Sequence, residues 1–354
     1  MPAATPVQQS LDANLLDQAV AYLDYNFPPW VRLSIARHGQ VVWDKRHAQP
    51  RVTQRSHLLQ RVFKTLGGRS NLARATTLDQ FAEGWNTRSV TKSITALLVG
   101  VALDRGQLHS LDEKVCDHLP AYFTTQTDPR KKSITLRHLL TMTSGLDSVD
   151  TGLAPLKLLR QTDWVRYLFD RPLTHSPGEA FIYNSANPHL LSAIITQATG
   201  QSLEDFAVQH LFEPLGIQPA WWPSDPHGYT FGSGDLFLTS EDLIKIGQLC
   251  LQRGLWNGKQ IVSAAWLDES WRPYQSIGYG FDYGYLWYSR QEQNEAHGRT
   301  YRVYSAAGIG GQRLFIVPDL DMVMVALART DFAADKSYHV NLIVSQYVLP
   351  AALN

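Results

Sequence analysis

The spacing of apolar residues predicts one helix and two strands at the start of the chain. Within residues 11–27 the apolar positions recur on one helix face, and Pro28-Pro29 ends the helix. Residues 30–36 and 40–43 are β-rich, and the Arg37-His38-Gly39 turn between them predicts a hairpin. A sheet therefore begins near the N-terminus.

The centre of the chain has helix patterns and almost no strand patterns. Residues 89–103 are strongly apolar and predict a buried helix that stops at Gly106. Further helices are predicted at 136–142, 162–169, 188–199, 203–211 and 239–252. Strand patterns return at 279–288, 300–304, 313–317 and 322–326, and a terminal helix is predicted at 334–348. The sheet must therefore take strands from both ends of the chain.

Composition and charge restrict the class of protein. The 354 residues are 44% apolar and 18% charged, with 32 basic and 32 acidic side chains, which excludes a disordered chain. Zero net charge provides no long-range attraction to nucleic acid or to a membrane. The first ten residues lack the pattern of a signal peptide, and no apolar stretch is long enough to span a bilayer. We expect a cytoplasmic protein with no nucleic-acid or membrane partner.

One segment departs from this even charge distribution. Residues 45–78 carry eight basic side chains and no acidic one. Within it, residues 58–66 fit a helix with an apolar stripe and a basic opposite face. The prediction is a solvated surface helix, and an anion-binding lid or a membrane-surface element is the alternative.

Common metal and nucleotide patterns are absent from the sequence. There is no GxSxG, HExxH, Walker, EF-hand or GxGxxG pattern, and Cys116 and Cys250 form no zinc or redox motif. We therefore expect no metal and no cofactor. A Ser-His-Asp triad stays open, because its members need not be near in sequence.

A serine and a lysine stand three residues apart where the buried helix begins. Ser89 and Lys92 therefore lie on one helix face, and their side chains can meet. A hydroxyl needs an adjacent base to act as a nucleophile, and a desolvated lysine can serve. The unpaired N–H of Ser89 at the helix N-terminus could stabilise an oxyanion.

With these two residues read beside the rest of the chain, the sequence resembles the serine β-lactamase and penicillin-binding-protein-like superfamily. The similarity is greatest to the class C-type branch, which includes family VIII carboxylesterases and 6-aminohexanoate-oligomer hydrolases. It covers most of residues 88–327. The ordered blocks that carry it include Ser89-x-x-Lys92, Gly106-Gln107-Leu108, residues 134–146, Pro177-Gly178-Glu179, residues 181–185, residues 212–217, Gly232-Ser233-Gly234 and residues 307–312.

The resemblance implies an α/β fold of the α+β type. An antiparallel sheet is flanked by helices, an all-helical subdomain is inserted, and the active site lies in the cleft between them. The implied sheet domain is discontinuous, residues 1–105 and 230–354, and the helical subdomain is 106–229. Tyr183 matches the second catalytic element, a general base or acid whose phenolate would be favoured by the nearby ammonium.

Two further elements depart from the family pattern. Ser185 occupies the position at which the family usually has an asparagine. Ser185 is a candidate for substrate binding, and Asn187 nearby is a second one. The third element is Ala306-Ala307-Gly308, which lacks the cation that holds a substrate carboxylate in β-lactamases and transpeptidases. Ile309 would supply the second oxyanion N–H, and Gly308 would let the backbone approach a ligand.

The expected function is metal-free serine hydrolysis of a small-molecule ester or amide. Ser89 would form the acyl-enzyme, and Lys92 and Tyr183 would transfer the proton. Trp221 and Trp222 are candidates for specificity. The alternatives are a β-lactamase or D-amino acid peptidase, and a non-catalytic binding module of the same superfamily. A homo-oligomer stays open.

Overall fold

Strands from both ends of the chain meet in one antiparallel sheet. The computed structural model describes residues 1–52, 75, 78–125, 127–331 and 336–353. The strands in chain order are β1 (Trp30–Arg37), β2 (Gln40–Arg46), β3 (Gln80–Phe81), β4 (Gly84–Asn86), β5 (Phe237–Leu238), β6 (Leu255–Trp256), β7 (Lys259–Gln260), β8 (Gln275–Gly278), β9 (Phe281–Tyr283), β10 (Tyr288–Asn294), β11 (Arg299–Gly308), β12 (Gln312–Val317) and β13 (Met322–Ala328). The main sheet has the order β2-β1-β13-β12-β11-β10-β9-β8.

Helices cover both faces of this sheet. The α-helices in chain order are α1 (Ala13–Asn26), α2 (Val90–Asp104), α3 (Val115–His118), α4 (Leu136–Leu140), α5 (Ala154–Leu159), α6 (Trp164–Asp170), α7 (Ala186–Thr199), α8 (Leu203–Ala207), α9 (Glu213–Leu215), α10 (Ser240–Leu251), α11 (Ala264–Ser270), α12 (Tyr338–Ile343) and α13 (Leu349–Ala351). Short 3₁₀ helices are Val7–Gln9, Pro120–Tyr122, Pro129–Ser133 and Pro318–Leu320, and π turns are Val208–Phe212 and Val344–Val348. In the described residues no helix has the length and apolar character that crossing a bilayer requires.

The N-terminal hairpin joins the C-terminal strands through its first strand. His38 and Gly39 both have positive φ, +50° and +72°, which suits the tight turn between β1 and β2. Strand β1 then pairs with β13, with Leu33 opposite Ala326. The predicted hairpin and the assembly of the sheet from both chain ends are confirmed.

Two hydrophobic cores lie on the two faces of the sheet. Helices α1 and α12 pack with the π turn Val344–Val348 over one face. On the other face, α2 contacts β11, β12 and α7, and its residues 90–102 are all buried. The predicted central helix is therefore surrounded by protein, and its N-terminus is where a reactive side chain can be held rigidly.

The described residues of the region 106–229 form helices joined by turns and loops, with isolated bridges and no longer strand, as predicted. Its apolar residues form one continuous cluster with α2 and with the near face of the sheet. The subdomain boundaries at residues 105/106 and 229/230 stay a prediction. The α+β fold with an antiparallel sheet flanked by helices agrees with the expectation.

Two predicted elements differ in the structure, and two others fall wholly or partly outside the described residues. The strand predicted at 279–288 is divided, because Leu286 has φ +59° and residues 284–287 turn the chain between β9 and β10. The helix predicted at 203–211 loosens into a π turn after Ala207. The basic helix predicted at 58–66 lies outside the described residues, as does the start of the terminal helix predicted at 334–348.

Candidate active site

The residue before Ser89 has a left-handed backbone conformation. Arg88 has φ +53°, a conformation that costs a non-glycine residue about 1–3 kcal/mol. Its N–H donates to the Asn86 side-chain oxygen at 2.9 Å, and its guanidinium pairs with the buried Asp235 carboxylate at 3.3 Å. Asn86 also donates to Asp235 at 2.9 Å. These buried contacts hold the turn that places Ser89 at the N-terminus of α2.

Lys92 lies one helical turn beyond Ser89 and is 2% exposed. Its Nζ is 2.9 Å from Ser89 Oγ and 2.6 Å from the carbonyl oxygen of Ser233. Burial lowers the pKa of Lys92 from 10.5 to about 8, and the Asp150 and Asp235 carboxylates oppose that change. A large fraction of Lys92 is therefore neutral amine near pH 8, the form that can accept a proton from Ser89.

This pKa predicts how Ser89 reactivity changes with pH. We expect the rate of Ser89 modification by a serine-directed phosphonate to rise as the pH increases through about 8. Below that pH Lys92 is an ammonium that cannot take the Ser89 proton, and above it the amine can, so the sign is an increase. The adduct is followed by intact-protein mass against pH. A flat profile across this range would contradict Lys92 as the base.

Tyr183 completes a three-residue cluster around the Ser89 hydroxyl. The centre of its ring is 5.2 Å from Lys92 Nζ, and its phenol is close enough to the Ser89 side chain to interact with it. Burial raises the pKa of Tyr183 far above 10, although the interaction with Ser89 opposes the change. The expectation that the nearby ammonium favours the Tyr183 phenolate is therefore wrong. Desolvation of Tyr183 outweighs the effect of nearby positive charge, and its phenol is neutral. Lys92 is the better base, and the Tyr183 hydroxyl is suited to relay a proton.

Ser89 and Ile309, the two candidate oxyanion residues, line the same pocket. Ser89 stands at the start of α2, and Ile309 follows the last residue of β11; both line the pocket. Among the described residues, neither amide donates to a protein acceptor. Two unpaired N–H groups beside a nucleophile are the arrangement that stabilises an oxyanion.

Gly308, the last residue of β11, packs closely against Thr87 and Arg88, and its carbonyl is hydrogen-bonded to Arg313. A Cβ there would lie 2.6 Å from the Thr87 carbonyl oxygen and 2.9 Å from Arg88 Cβ, so only glycine fits. The close approach is thus to the protein's own chain, whereas the sequence suggested approach to a ligand. The Gly308 carbonyl accepts from the Arg313 guanidinium at 2.7 Å. Because a peptide unit is planar and trans, this contact directs the Ile309 N–H the opposite way.

Ser89, Lys92 and Ile309 line a pocket of 170 Å³. Most of the surface of its wall is apolar, and the other polar residues that line it are Arg88, Asp150, Ser185, Ser233 and Asp235. The apolar lining comprises Val149, Pro155, Leu158, Leu159, Trp164 and Phe231. A pocket of this shape accommodates an apolar group beside the nucleophile.

The two polar residues after Tyr183 have different positions. Ser185 lines the pocket, and its N–H and hydroxyl both donate to Asp150, each at 2.6 Å. Asn187 is fully buried in α7, where its Oδ1 accepts from the Ser144 hydroxyl at 2.7 Å. Asn187 is therefore placed to stabilise the loop that carries Ser144, and the structure does not bring it to the pocket.

The tryptophan pair is likewise placed outside the pocket lining. Trp222 is 1% exposed, and its Nε1 donates to the Phe231 carbonyl at 3.0 Å. Trp221 stacks on Phe237, with ring centres 5.6 Å apart. Trp222 thus supports Phe231, which does line the pocket, and neither indole is itself a lining group.

Sequence reasoning missed three residues that position the cluster. Asp150, Ser233 and Arg313 contact Ser185, Lys92 and the Gly308 carbonyl. Ser233 stood in a recognisable Gly-Ser-Gly turn, but no local pattern indicates that its carbonyl meets Lys92. Asp150 and Arg313 carry no sequence signal, because their roles depend on tertiary contacts.

With this geometry established, comparison with known proteins identifies the family. A family model described as beta-lactamase matches residues 29–345. The chain belongs to the beta-lactamase family. This confirms the resemblance to the serine β-lactamase and penicillin-binding-protein superfamily, which is a superfamily of serine hydrolases.

Relatives in the beta-lactamase family carry several activities in their names. The chain is 25% identical over 254 residues to 6-aminohexanoate-dimer hydrolase of Paenarthrobacter ureafaciens, covering 68% of this chain and 64% of that protein. It is 35% identical over 143 residues to esterase EstB of Burkholderia gladioli, covering 37% and 36%. The matched regions thus span less than two thirds of these relatives.

A solved structure supports the fold over nearly the whole chain. EstCE1, described as a hydrolase with promiscuous acyltransferase activity, superposes with a TM-score of 0.70 at 18% identity. The match covers 98% of this chain and 100% of that one. At this identity the likeness shows the beta-lactamase fold alone.

Proposed function

We propose that this protein is a metal-free serine hydrolase that cleaves an ester or an amide through an acyl-enzyme on Ser89. One observation carries the proposal: the Ser89 hydroxyl lies beside both Lys92 and Tyr183, and Ser89, Lys92 and Ile309 line one pocket. Nucleophile, base, proton relay and oxyanion donors are thereby within one site.

Acylation follows from these contacts. The neutral Lys92 amine takes the Ser89 proton while Ser89 Oγ bonds to the substrate carbonyl carbon. The carbonyl oxygen becomes an oxyanion, to which the amides of Ser89 and Ile309 donate. As the oxyanion collapses, the bond to the leaving group breaks. The leaving alkoxide or amine receives the proton from the Lys92 ammonium through the Tyr183 hydroxyl.

Deacylation uses the same groups in reverse order. A water molecule gives a proton to Lys92 through Tyr183 while its oxygen attacks the acyl carbon. The second oxyanion collapses, the bond to Ser89 Oγ breaks, and Ser89 regains its proton from Lys92. The products are a carboxylic acid and the unmodified enzyme.

The pocket favours a substrate that carries a short apolar acyl group and no carboxylate near the reacting bond. Its volume is 170 Å³, and its wall is largely apolar. The segment Ala306-Ala307-Gly308 supplies no cation where the resemblance implies a carboxylate-binding one. The Arg88 guanidinium is already paired with Asp79 and Asp235, and Asp150 adds negative charge to the pocket. A penicillin-like carboxylate would therefore be repelled.

Leu159 provides a test of the acyl pocket. We expect Leu159→Ala to raise kcat/KM for p-nitrophenyl octanoate relative to p-nitrophenyl butyrate by about tenfold, because it removes three carbons from a lining side chain. Leu153→Ala is the matched control, since Leu153 is 66% exposed and does not line the pocket. An unchanged ratio in Leu159→Ala would show that the acyl group binds elsewhere.

The reaction type is tested on the wild-type protein with three substrates. Hydrolysis of p-nitrophenyl butyrate, of a 6-aminohexanoate dimer and of nitrocefin is measured, and Ser89 is labelled with a serine-directed phosphonate. Turnover of the ester or the amide with an adduct on Ser89 is the expected result. A preference for nitrocefin would favour a β-lactamase. Absence of both adduct and turnover would favour a binding module.

A homo-oligomer stays a proposal, which light scattering tests.

A further inference from the structure

The Asp150 carboxylate binds both polar groups of a residue next to the catalytic cluster. Its Oδ2 accepts the Ser185 N–H at 2.6 Å, and its Oδ1 accepts the Ser185 hydroxyl at 2.6 Å. Asp150 is exposed and lines the pocket together with Ser89 and Lys92. Since Ser185 is the residue before α7, Asp150 ties its own loop to the start of that helix.

The contacts continue from Ser185 to the nucleophile. The Ser185 carbonyl accepts the Ser233 hydroxyl, and the Ser233 carbonyl accepts from Lys92 Nζ at 2.6 Å. Lys92 Nζ in turn is 2.9 Å from Ser89 Oγ. A continuous series of hydrogen bonds therefore leads from Asp150 to the reacting oxygen, and Ser233, in its centre, is buried.

Asp150 also acts on this series through its charge. No ion pair joins it to a cation among the described residues, so its charge is not neutralised by an adjacent side chain. Its negative charge raises the pKa of Lys92, against the effect of burial. Among the described residues, Tyr183, Asp235 and Arg88 are also close to Lys92, and Arg88 is itself paired with Asp235.

We propose that Asp150 is a positioning residue that holds Lys92 against Ser89 through Ser185 and Ser233. This role rests on the proposed function, in which Lys92 is the base. It rests on the hydrogen bonds from Ser185 to Asp150 and is distinct from the charge that Asp150 contributes to the pocket. It also gives a physical reason for a serine at position 185: its hydroxyl and N–H together satisfy both carboxylate oxygens.

The test compares Asp150→Asn, Asp150→Ala and Ser185→Ala with the wild type. The readouts are the pH dependence of Ser89 phosphonylation, and kcat and KM for the best substrate. Without the carboxylate charge, the amine form persists to lower pH, so the rise in reactivity moves to lower pH in both Asp150 variants. In Asp150→Ala, kcat falls about 10–100-fold with little change in KM, because Lys92 is less well held.

The conservative variants separate charge from geometry. Asp150→Asn keeps an acceptor for the Ser185 N–H and retains more activity than Asp150→Ala, yet shows the same displacement of the pH profile. Ser185→Ala loses one hydrogen bond but no charge, so its pH profile stays near that of the wild type. Asp112→Asn removes an exposed carboxylate that pairs with Arg137 outside the pocket, and it should match the wild type in every readout.

Two results would overturn the proposal. An unmoved pH profile in Asp150→Asn would show that Asp150 only stabilises the loop, and a change confined to KM would show that it contacts substrate. Failure of the proposed function is distinguishable, because it leaves Ser89 unlabelled in the wild type. Failure of this inference leaves wild-type labelling intact and alters only the comparison among variants.

Discussion

Ser89→Ala is expected to lower turnover of an accepted ester or amide by about 10³-fold or more while the fold is retained. The substitution removes the atom that forms the acyl bond, and only the oxyanion donors and the pocket remain to assist attack by water. The Ser89 side chain makes no capping hydrogen bond to α2, so its loss costs the helix little. kcat/KM, thermal unfolding and the mass of a phosphonate adduct are measured together.

Ser276→Ala is the matched control for this substitution. Ser276 is exposed on the edge strand β8 and does not line the pocket, so its replacement should leave turnover and labelling unchanged. Comparable activity in Ser89→Ala, or an adduct on another residue, would reject Ser89 as the nucleophile. Loss of activity accompanied by unfolding would instead assign a structural role to the hydroxyl.

Lys92→Met is expected to lower kcat by about 10²–10⁴-fold and to abolish the rise of Ser89 reactivity with pH. Methionine fills the buried space with a flexible apolar chain but cannot accept a proton. It leaves the Ser233 carbonyl without the 2.6 Å hydrogen bond, which costs about 1–3 kcal/mol of stability. The pH profile and the thermal midpoint are therefore recorded on the same samples.

Two further variants show whether the loss of activity comes from the missing base at Lys92 or from a change in charge or packing. Lys92→Arg keeps the positive charge, but its guanidinium does not release a proton in this pH range. It should therefore be as inactive as Lys92→Met if the Lys92 amine is the base. Lys245→Met removes a lysine that donates to the Gly216 carbonyl at 2.9 Å outside the pocket, and its activity should be unchanged. A pH-dependent, active Lys92→Arg would contradict the mechanism.

The fold was predictable where short-range patterns decide it. The β1–β2 hairpin follows from two β-rich runs around a turn that can adopt positive φ, and the buried α2 follows from its apolar run. The 279–288 region was not predictable in this way. Its β-rich composition indicates one strand, whereas packing around Leu286 and Tyr285 turns the chain there.

The site, like the fold, was predictable from local sequence patterns only in part. The spacing of Ser89 and Lys92 indicates contact between neighbouring helical turns, and the structure places their side chains 2.9 Å apart. Tyr183 and Ile309 came from the family resemblance, because no local rule joins them to Ser89. The neutral state of Tyr183 could not be predicted, since the charge of a nearby lysine is visible in sequence but burial is not.

The amino-acid sequence by itself determined the family, the α+β layout, and the placement of a serine and a lysine on one face of a buried helix. Helix and strand periodicities are local, so neighbouring residues suffice to specify them. Only the tertiary structure decided that Lys92 has a pKa of about 8 and meets the Ser233 carbonyl, 141 residues further along the chain. Proton affinity depends on desolvation and on charges such as Asp150 and Asp235, which only folding brings to the same place.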